Sequence, residues 1–244
     1  MQAAIEYNCR RDAPAGGQTA TLSSNMGRRE RLGESNMSVP AGVLVKPVGP
    51  GQASLVAEIL ADAFSADPVM EWISHDPAYP KWVWLLLVPL LLPYNEVYVT
   101  GDGLGTALWL PPGVSRDMLP NLNALLSAMG RFGLGAIFRL FQFISLLEKQ
   151  HPKESHYYLL AIGVRTTAQG HGIGSALLGH VLEKCDRRNV GAYVESSNSH
   201  SLSLYQRHGF EIQRKITLPR NGPPLWLMYR RPRPAQQPGS NEPK

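Results

Sequence analysis

The sequence predicts an α/β domain, a mixed central sheet flanked by helices, with an extra helical segment inserted ahead of its principal strand. Three observations predict it. Short strand-like apolar runs alternate with helically spaced ones through the middle of the chain. The run from Tyr157 to Val164 breaks into a glycine-rich loop and restarts as a helix. The chain has 244 residues, 43% of them hydrophobic, enough for one domain with a substantial core and tails left over.

Residues 1–40 are rich in Gly, Ala, Ser, Asn and Arg and show neither a sustained apolar period nor a secretory h-region. They read as a disordered tail, and Met37 is a second candidate start. The folded domain is expected over 41–230. Val43 to Val48 suggests a first strand, and Leu55, Val56, Ile59, Leu60, Ala63 and Phe64 carry helical spacing. Asp67-Pro68 breaks that helix before the short VMEWIS segment, which contains Trp72. Trp82 to Leu92 is nearly all apolar, yet shorter than the roughly twenty residues a bilayer requires, and Pro89 and Pro93 punctuate it. It reads as a buried core helix, not a membrane span.

Val97–Thr100 and Thr106–Leu110, separated by Gly-Asp-Gly, form the clearest hairpin. Leu119 to Leu147, with Arg131 and Arg139, reads as one or two amphipathic helices within an insertion over 119–150. Core packing, a cover over a substrate site and a homodimer face are three open readings of it. Residues 231–244 are proline-punctuated and read as a second disordered tail.

Charge and cysteine content exclude several classes. The net charge is +5, but residues 1–40 carry five Arg against four acids and residues 219–244 carry five Lys/Arg against Glu242. The segment between is close to neutral, whereas a nucleic-acid groove needs cations clustered on a folded face. Only Cys9 and Cys185 are present, which argues against a disulfide framework and for a reducing, cytoplasmic setting.

Glycines at 170, 172 and 174 free the backbone to turn sharply, so that several N–H groups aim at one anion at the following helix's positive end. A pyrophosphate suits that cradle; a plain strand-to-helix turn is the structural alternative. A dinucleotide fingerprint is excluded because Ser175 or Leu177 stands where its third glycine belongs, and no Gly-Lys-Ser/Thr triplet marks a P-loop. What remains is Q-x-x-G-x-G from Gln169 to Gly174. Further on, Ala192 to Ser197 reads as a strand. Asn198 is suited to cap the helix that follows, and Gly209 to close it in the left-handed conformation.

The two motifs together resemble the GNAT superfamily of acyl-CoA-dependent N-acetyltransferases. The resemblance rests on Gln169, Gly170, Gly172 and Gly174, then Asn198 with Tyr205 seven positions on, then Gly209-Phe210, and it covers roughly Tyr157 to Arg230. Within the superfamily, the HPKE run at 151–154 and the LYQRHGF run are similar to the branch that includes puromycin N-acetyltransferase.

The resemblance implies a GNAT fold with a splayed strand pair, acetyl-CoA as co-substrate and no metal. It assigns the backbone of Ile162, Gly163 and Val164 to the pantetheine arm. Gln169, Gly170, His171, Gly172, Ile173, Gly174 and Ser175 are assigned to the pyrophosphate, and Asn198 to coenzyme A binding or to holding the splayed strand.

Attack on a thioester needs a neutral amine, and an alkylamine of pKa about 10.4 costs roughly 4–5 kcal/mol to hold neutral at pH 7, so a base is useful. By the resemblance Glu195 is the first candidate, although it lies closer to Asn198 than in at least one group of relatives. His156 and Tyr158, on one face of the preceding strand, are its rivals. Tyr205 matches the tyrosine that relatives use as general acid. Neither cysteine falls in these motifs, which favours direct attack over a covalent intermediate.

The expected function is therefore acetyl transfer from acetyl-CoA to a primary amine, of a small molecule in the first instance. A protein N-terminal or lysine acceptor, a non-catalytic acyl-CoA sensor or scaffold, and docking of the apolar helices on a membrane or partner chain are the alternatives.

Overall fold

The computed structural model describes residues 42–49, 51–114 and 122–233. The expectations for residues 1–40, for Met37, for 119–121 and for 234–244 lie outside them. Seven strands form one sheet in the order β1-β2-β3-β4-β5-β7-β6. They are β1 (Val45–Pro47), β2 (Val97–Thr100), β3 (Gly105–Leu110), β4 (His156–Val164), β5 (Gly191–Ser196), β6 (Glu211–Thr217) and β7 (Pro224–Arg230). The expected hairpin is β2–β3, and every neighbouring pair is antiparallel except β4–β5.

Helices cover both faces. On one lie α1 (Ala53–Ala63), α2 (Pro68–Ile73), α3 (Tyr79–Leu91) and α4 (Leu122–Gln150), which share a core with Tyr158, Leu160, Tyr193 and Leu227. On the other, α5 (Ile173–Arg187) and α6 (Leu202–Arg207) share a core with Tyr157, Leu159, Ala192 and Val194. The alternation along β4 and β5 thus feeds two cores from one sheet.

The segment read as VMEWIS is α2, and it forms because Asp67 caps it. Asp67 Oδ1 accepts the Val69 and Met70 amides at 2.9 and 3.0 Å, and Pro68 occupies the first turn, where its missing N–H costs nothing. The run Trp82–Leu92 falls within α3 up to Leu91, and Leu92 opens the 3-10 turn that follows. Val83, Trp84, Val88 and Leu91 are buried, whereas Leu85 and Leu90 are exposed, so only one face of α3 is core.

The insertion is two helical runs that meet end to end within α4 at Gly133, whose φ of 79° and ψ of 163° leave the helical region. By length and composition alone α4 is apolar enough to cross a bilayer. It is nevertheless attached to the domain. Ala128, Ala136, Phe143 and Leu147 are buried along it, and Arg139 Nε donates to the Ile73 carbonyl at 3.0 Å.

The feature that positions the site is the way β4 leaves β5. The two strands pair over only four residues, from His156↔Gly191 to Leu159↔Val194. On its other side β4 pairs with β3, but the register shifts so that Leu108 faces Ala161 while Trp109 faces Leu159, leaving Leu160 as an extra residue. Leu160 and Ala161 accordingly fall in the same core instead of alternating. A bulge bends and twists its strand, and this one lies where β4 and β5 stop pairing. The expected splayed pair is therefore present, and the bulge supplies a physical reason for it.

Candidate active site

Among the described residues, the β5-facing edge of β4 has no strand partner beyond Leu159. The Arg165 amide donates to the Leu104 carbonyl of the β3 side at 2.8 Å. By alternation, Ile162 and Val164 turn their own peptide groups to the open edge, and Gly163 turns its toward β3. Gly163 has a different reason to be glycine. A Cβ there would lie 2.9 Å from Ala63 Cβ and 3.1 Å from Leu60 Cδ2, so its absence lets α1 seat against β4.

The loop after β4 lies beside that open edge. Gly170 and Gly172 adopt φ of +83° and +79°, a conformation that costs a non-glycine residue roughly 1–2 kcal/mol. Gly172 is the N-cap of α5 and has no side chain to cap it, while Ala176 takes the first helical bond, to the Gly172 carbonyl. The amides of Ile173, Gly174 and Ser175 therefore have no intrahelical acceptor, and they sit at the positive end of the macrodipole.

Ile173 also anchors the helix, since it is buried with Ala176, Leu177, Val181 and Cys185, the apolar face expected. Each large aliphatic side chain so buried contributes roughly 1.5–3 kcal/mol. Gln169 and His171 serve the loop itself. Gln169 Nε2 donates to the Val164 carbonyl at 3.1 Å, and His171 Nδ1 lies 3.3 Å from the Ala168 carbonyl. The loop is further tied to α1 by the Thr166 amide, which donates to Asp62 at 2.7 Å.

Glu195 is the first residue of β5 past the last pair with β4. It is 0% exposed, on the face covered by α1–α4. Tyr158 donates its hydroxyl to Glu195 Oε2 at 2.5 Å, and His151 Nδ1 stands 3.9 Å from Oε1. Burial pushes the carboxyl upward, but the His151 ring and the Tyr158 hydroxyl outweigh it and hold the group below the usual carboxylate value.

His156 is engaged at both ring nitrogens, at 2.5 Å to the Glu154 carbonyl and at 2.8 Å to His151 Nε2. The expected pair of His156 and Tyr158 on one face is therefore present, and it converges on Glu195 through His151 and through Tyr158 itself. Pattern reading missed two residues as site residues, His151 in this cluster and Asp67 beside the end of β5. His151 was legible only as part of the HPKE run. Asp67 was legible only as a helix breaker, and it accepts the Ser197 hydroxyl at 2.5 Å, stapling α2 to the end of β5.

Tyr205, on α6, reaches the sheet from the opposite face. It is 0% exposed, packs edge-on against Phe210 at 5.7 Å, and its hydroxyl makes no hydrogen bond among the described residues. Burial raises it far above the usual phenol range, so it is protonated at any ordinary pH. Asn198 Oδ1 accepts the His200 amide at 2.9 Å, the expected cap, and Gly209 closes the helix region at φ +87°. Among the described residues no group of three or more His, Cys, Asp or Glu is placed to hold a metal ion.

A parted strand pair beside a glycine-turned helix start places an open strand edge next to three outward backbone amides in an α/β domain. The acetyltransferase (GNAT) family profile matches residues 135–210. An uncharacterized N-acetyltransferase of Schizosaccharomyces pombe is 29% identical over 199 residues, covering 72% of this chain and 78% of that protein.

Among solved structures, the histone acetyltransferase HPA2 and related acetyltransferase of Corynebacterium glutamicum aligns at TM-score 0.58 with 23% identity, over 80% of this chain and 99% of that one. The Drosophila melanogaster polyamine N-acetyltransferase, which forms N-acetylagmatine, aligns at 0.54 with 16% identity, over 78% and 99%. The chain is thus an acyltransferase similar to N-acetyltransferases, with its match to the acetyltransferase (GNAT) family lying over residues 135–210.

Proposed function

We propose that the chain acetylates a primary amine of a small molecule by direct attack of the amine on acetyl-CoA, with Glu195 accepting the amine's proton and Tyr205 donating to the departing thiolate. The observation that carries this reading is the fork between β4 and β5. Its open edge offers the peptide groups of Ile162 and Val164 to an extended pantetheine, and its loop offers the amides of Ile173, Gly174 and Ser175 to a diphosphate. Gln169, His171 and Asn198 shape that seat, and Gly170 and Gly172 keep it free of side chains.

The amine arrives as an ammonium and needs an ionised acceptor. Glu195, kept ionised in a dry site, supplies one at the fork, where a thioester would end. Tyr205 approaches from the other face as a protonated phenol with no competing partner, which is what a donor to a nascent thiolate requires. A small, slender acceptor is favoured because Glu195 is wholly covered on the α1–α4 side. The polyamine acceptor of the Drosophila enzyme and the puromycin-type branch suggested by the HPKE run belong to that class.

The test is release of free thiol from acetyl-CoA by the full chain against agmatine, an arylalkylamine, an antibiotic-type amine and a lysine-containing peptide. Turnover with one of the small amines supports the reading. Turnover with the peptide alone contradicts the small-molecule acceptor, and thioester stable with every amine contradicts catalysis and leaves a binding module.

A further inference from the structure

We propose that the outer side of α4 beyond Gly133 lies on the surface of a bilayer that carries anionic lipids, its apolar stripe set into the headgroup layer and its basic rim on the lipid charges. Neither Glu195 nor Tyr205 takes part, so the proposal stands or falls apart from the acetyl-transfer reading.

The stripe follows from helical spacing. Between Gly133 and Gln150, Ala136, Phe143 and Leu147 turn into the core, whereas Leu134, Phe138 and Phe141 turn outward, at 68%, 48% and 41% exposure among the described residues. These three recur at i, i+4 and i+7, so they share one side of the helix over about 10 Å. Phe138 and Phe141 also line, with Leu146 and Pro219, a groove of about 350 Å³. Of the most apolar stretch of α4 only 11% is buried, whereas a core helix buries most of such a stretch. Large apolar side chains gathered on one exposed side mark an interaction surface.

Charge selects the occupant. Arg220, exposed on the turn between β6 and β7, holds its guanidinium 4.9 Å from the Phe138 ring centroid. Lys149 borders the groove, and Arg214 donates to Gln150 at 2.8 Å at the end of the helix. Glu148 is the single acid on this run, so the rim is net positive. A second copy seated two-fold on so short a stripe sets Arg220 and Lys149 against their own equivalents, a like-charge contact that costs affinity.

The chain's own remaining segments are poor covers. Residues 1–41 have no sustained apolar period, 115–121 offer only Met118 and Leu119, and 234–244 hold no large apolar residue. An anionic bilayer supplies an apolar layer and a negative surface together. Phe138 enters the headgroup layer while Arg220 above it stays at the depth of the phosphates. The helix lies on the bilayer and does not cross it, because Ala136, Phe143, Leu147 and the bond from Arg139 to the Ile73 carbonyl fasten its inner side to the domain.

The test is sedimentation of the full chain with vesicles of phosphatidylcholine alone and of phosphatidylcholine mixed with phosphatidylserine. Binding to the mixed vesicles is expected to be at least about fivefold tighter than to the neutral ones and to weaken with added salt. The double variant Phe138→Ser, Phe141→Ser is expected to lower it at least about tenfold. Lys149→Gln with Arg220→Gln is expected to act by a similar factor, with folding of each variant checked by circular dichroism.

The phenylalanine pair leaves every cation of the chain in place, so vesicle binding that survives it is generic charge attraction and overturns the proposal. Unchanged binding by the lysine and arginine pair also overturns it, and that surface pair decides alone if the other does not fold. A full chain that stays in the supernatant with both vesicle types overturns it as well. So does a dimer, found by sedimentation equilibrium without vesicles, that the phenylalanine pair dissociates, since the stripe then belongs to a second copy. Failure of the thiol-release screen removes the acetyltransferase reading and leaves the vesicle result standing.

Discussion

Tyr158 and Glu195 meet across the seam where β4 and β5 begin to part, the phenol donating to the carboxylate at 2.5 Å. Tyr158 belongs to the last stretch of β4 that is still paired with β5, and Glu195 to the first residue of β5 that is not. The hydrogen bond therefore pins the apex of the fork and orients one carboxylate oxygen, and in the proposed mechanism the other takes the amine's proton. Loss of Glu195 should accordingly affect chemistry more than coenzyme binding. Glu195→Gln is expected to lower kcat by about 10²–10³, with acetyl-CoA affinity by calorimetry within about twofold. Near-normal turnover removes Glu195 from the reaction.

Tyr205 makes an opposite pair of demands on stability and rate. Its buried hydroxyl has no partner, and leaving such a group unsatisfied costs roughly 1–3 kcal/mol. Tyr205→Phe should therefore leave Tm unchanged or raise it, while kcat falls well over tenfold with little change in acetyl-CoA affinity. A packing role alone gives the same Tm with intact turnover.

Gly172 tests the anion seat. Its φ of +79° makes any side chain strained, by roughly 1–2 kcal/mol, and an aspartate adds charge beside three outward amides. Gly172→Asp is expected to weaken coenzyme A binding at least tenfold, beyond the effect of Gly172→Ala at the same position. Equal affinities for the two variants by calorimetry contradict the seat.

His208 predicts a pH effect on stability away from the site. Burial first, then the Arg207, Arg230 and Arg233 cations, lowers it to about 4 from 6.5, so the folded chain holds it neutral. The unfolded chain protonates this ring below about pH 6.5. Stability is thus full above 6.5 and declines as pH falls toward 4, by about 3 kcal/mol. His208→Gln should flatten the dependence of Tm over that window. A wild-type Tm insensitive to pH there contradicts the burial of the neutral ring.

Cys185 bears on direct attack. Burial pushes its thiol up to about 12, so it is a poor nucleophile. Cys185→Ala should retain acetyl transfer, and mass spectrometry of the wild type incubated with acetyl-CoA alone should find no acetyl group on Cys185.

The parts legible in the sequence were those whose physics is local. The helix start at Ile173, the cap at Asn198 and the left-handed Gly209 each depend on one residue's conformational range or one short hydrogen bond, and residue type reports these directly. The hairpin of β2 and β3 was equally plain in its Gly-Asp-Gly turn. The bulge at Leu160 was not, because it exists only in the register between β3 and β4, and a lone leucine in an apolar run carries no mark of it.

His151 and Asp67 escaped for a related reason. Their roles arise from long-range contacts, with Glu195 and with Ser197, that burial makes consequential, and neither stands in a motif whose spacing encodes the partner. The choice between one helix and two in the insertion fell to the backbone of Gly133, a residue that a helix can also contain, so its break carries no mark in the sequence.

The central claim, that the parted strands seat the acyl carrier, is tested most directly by a crystal structure of the chain with coenzyme A. The diphosphate is predicted on the amides of Ile173, Gly174 and Ser175, with pantetheine running along Ile162 and Val164 toward Glu195 and Tyr205. A carrier bound elsewhere, or β4 and β5 paired beyond Leu159 and Val194, contradicts it.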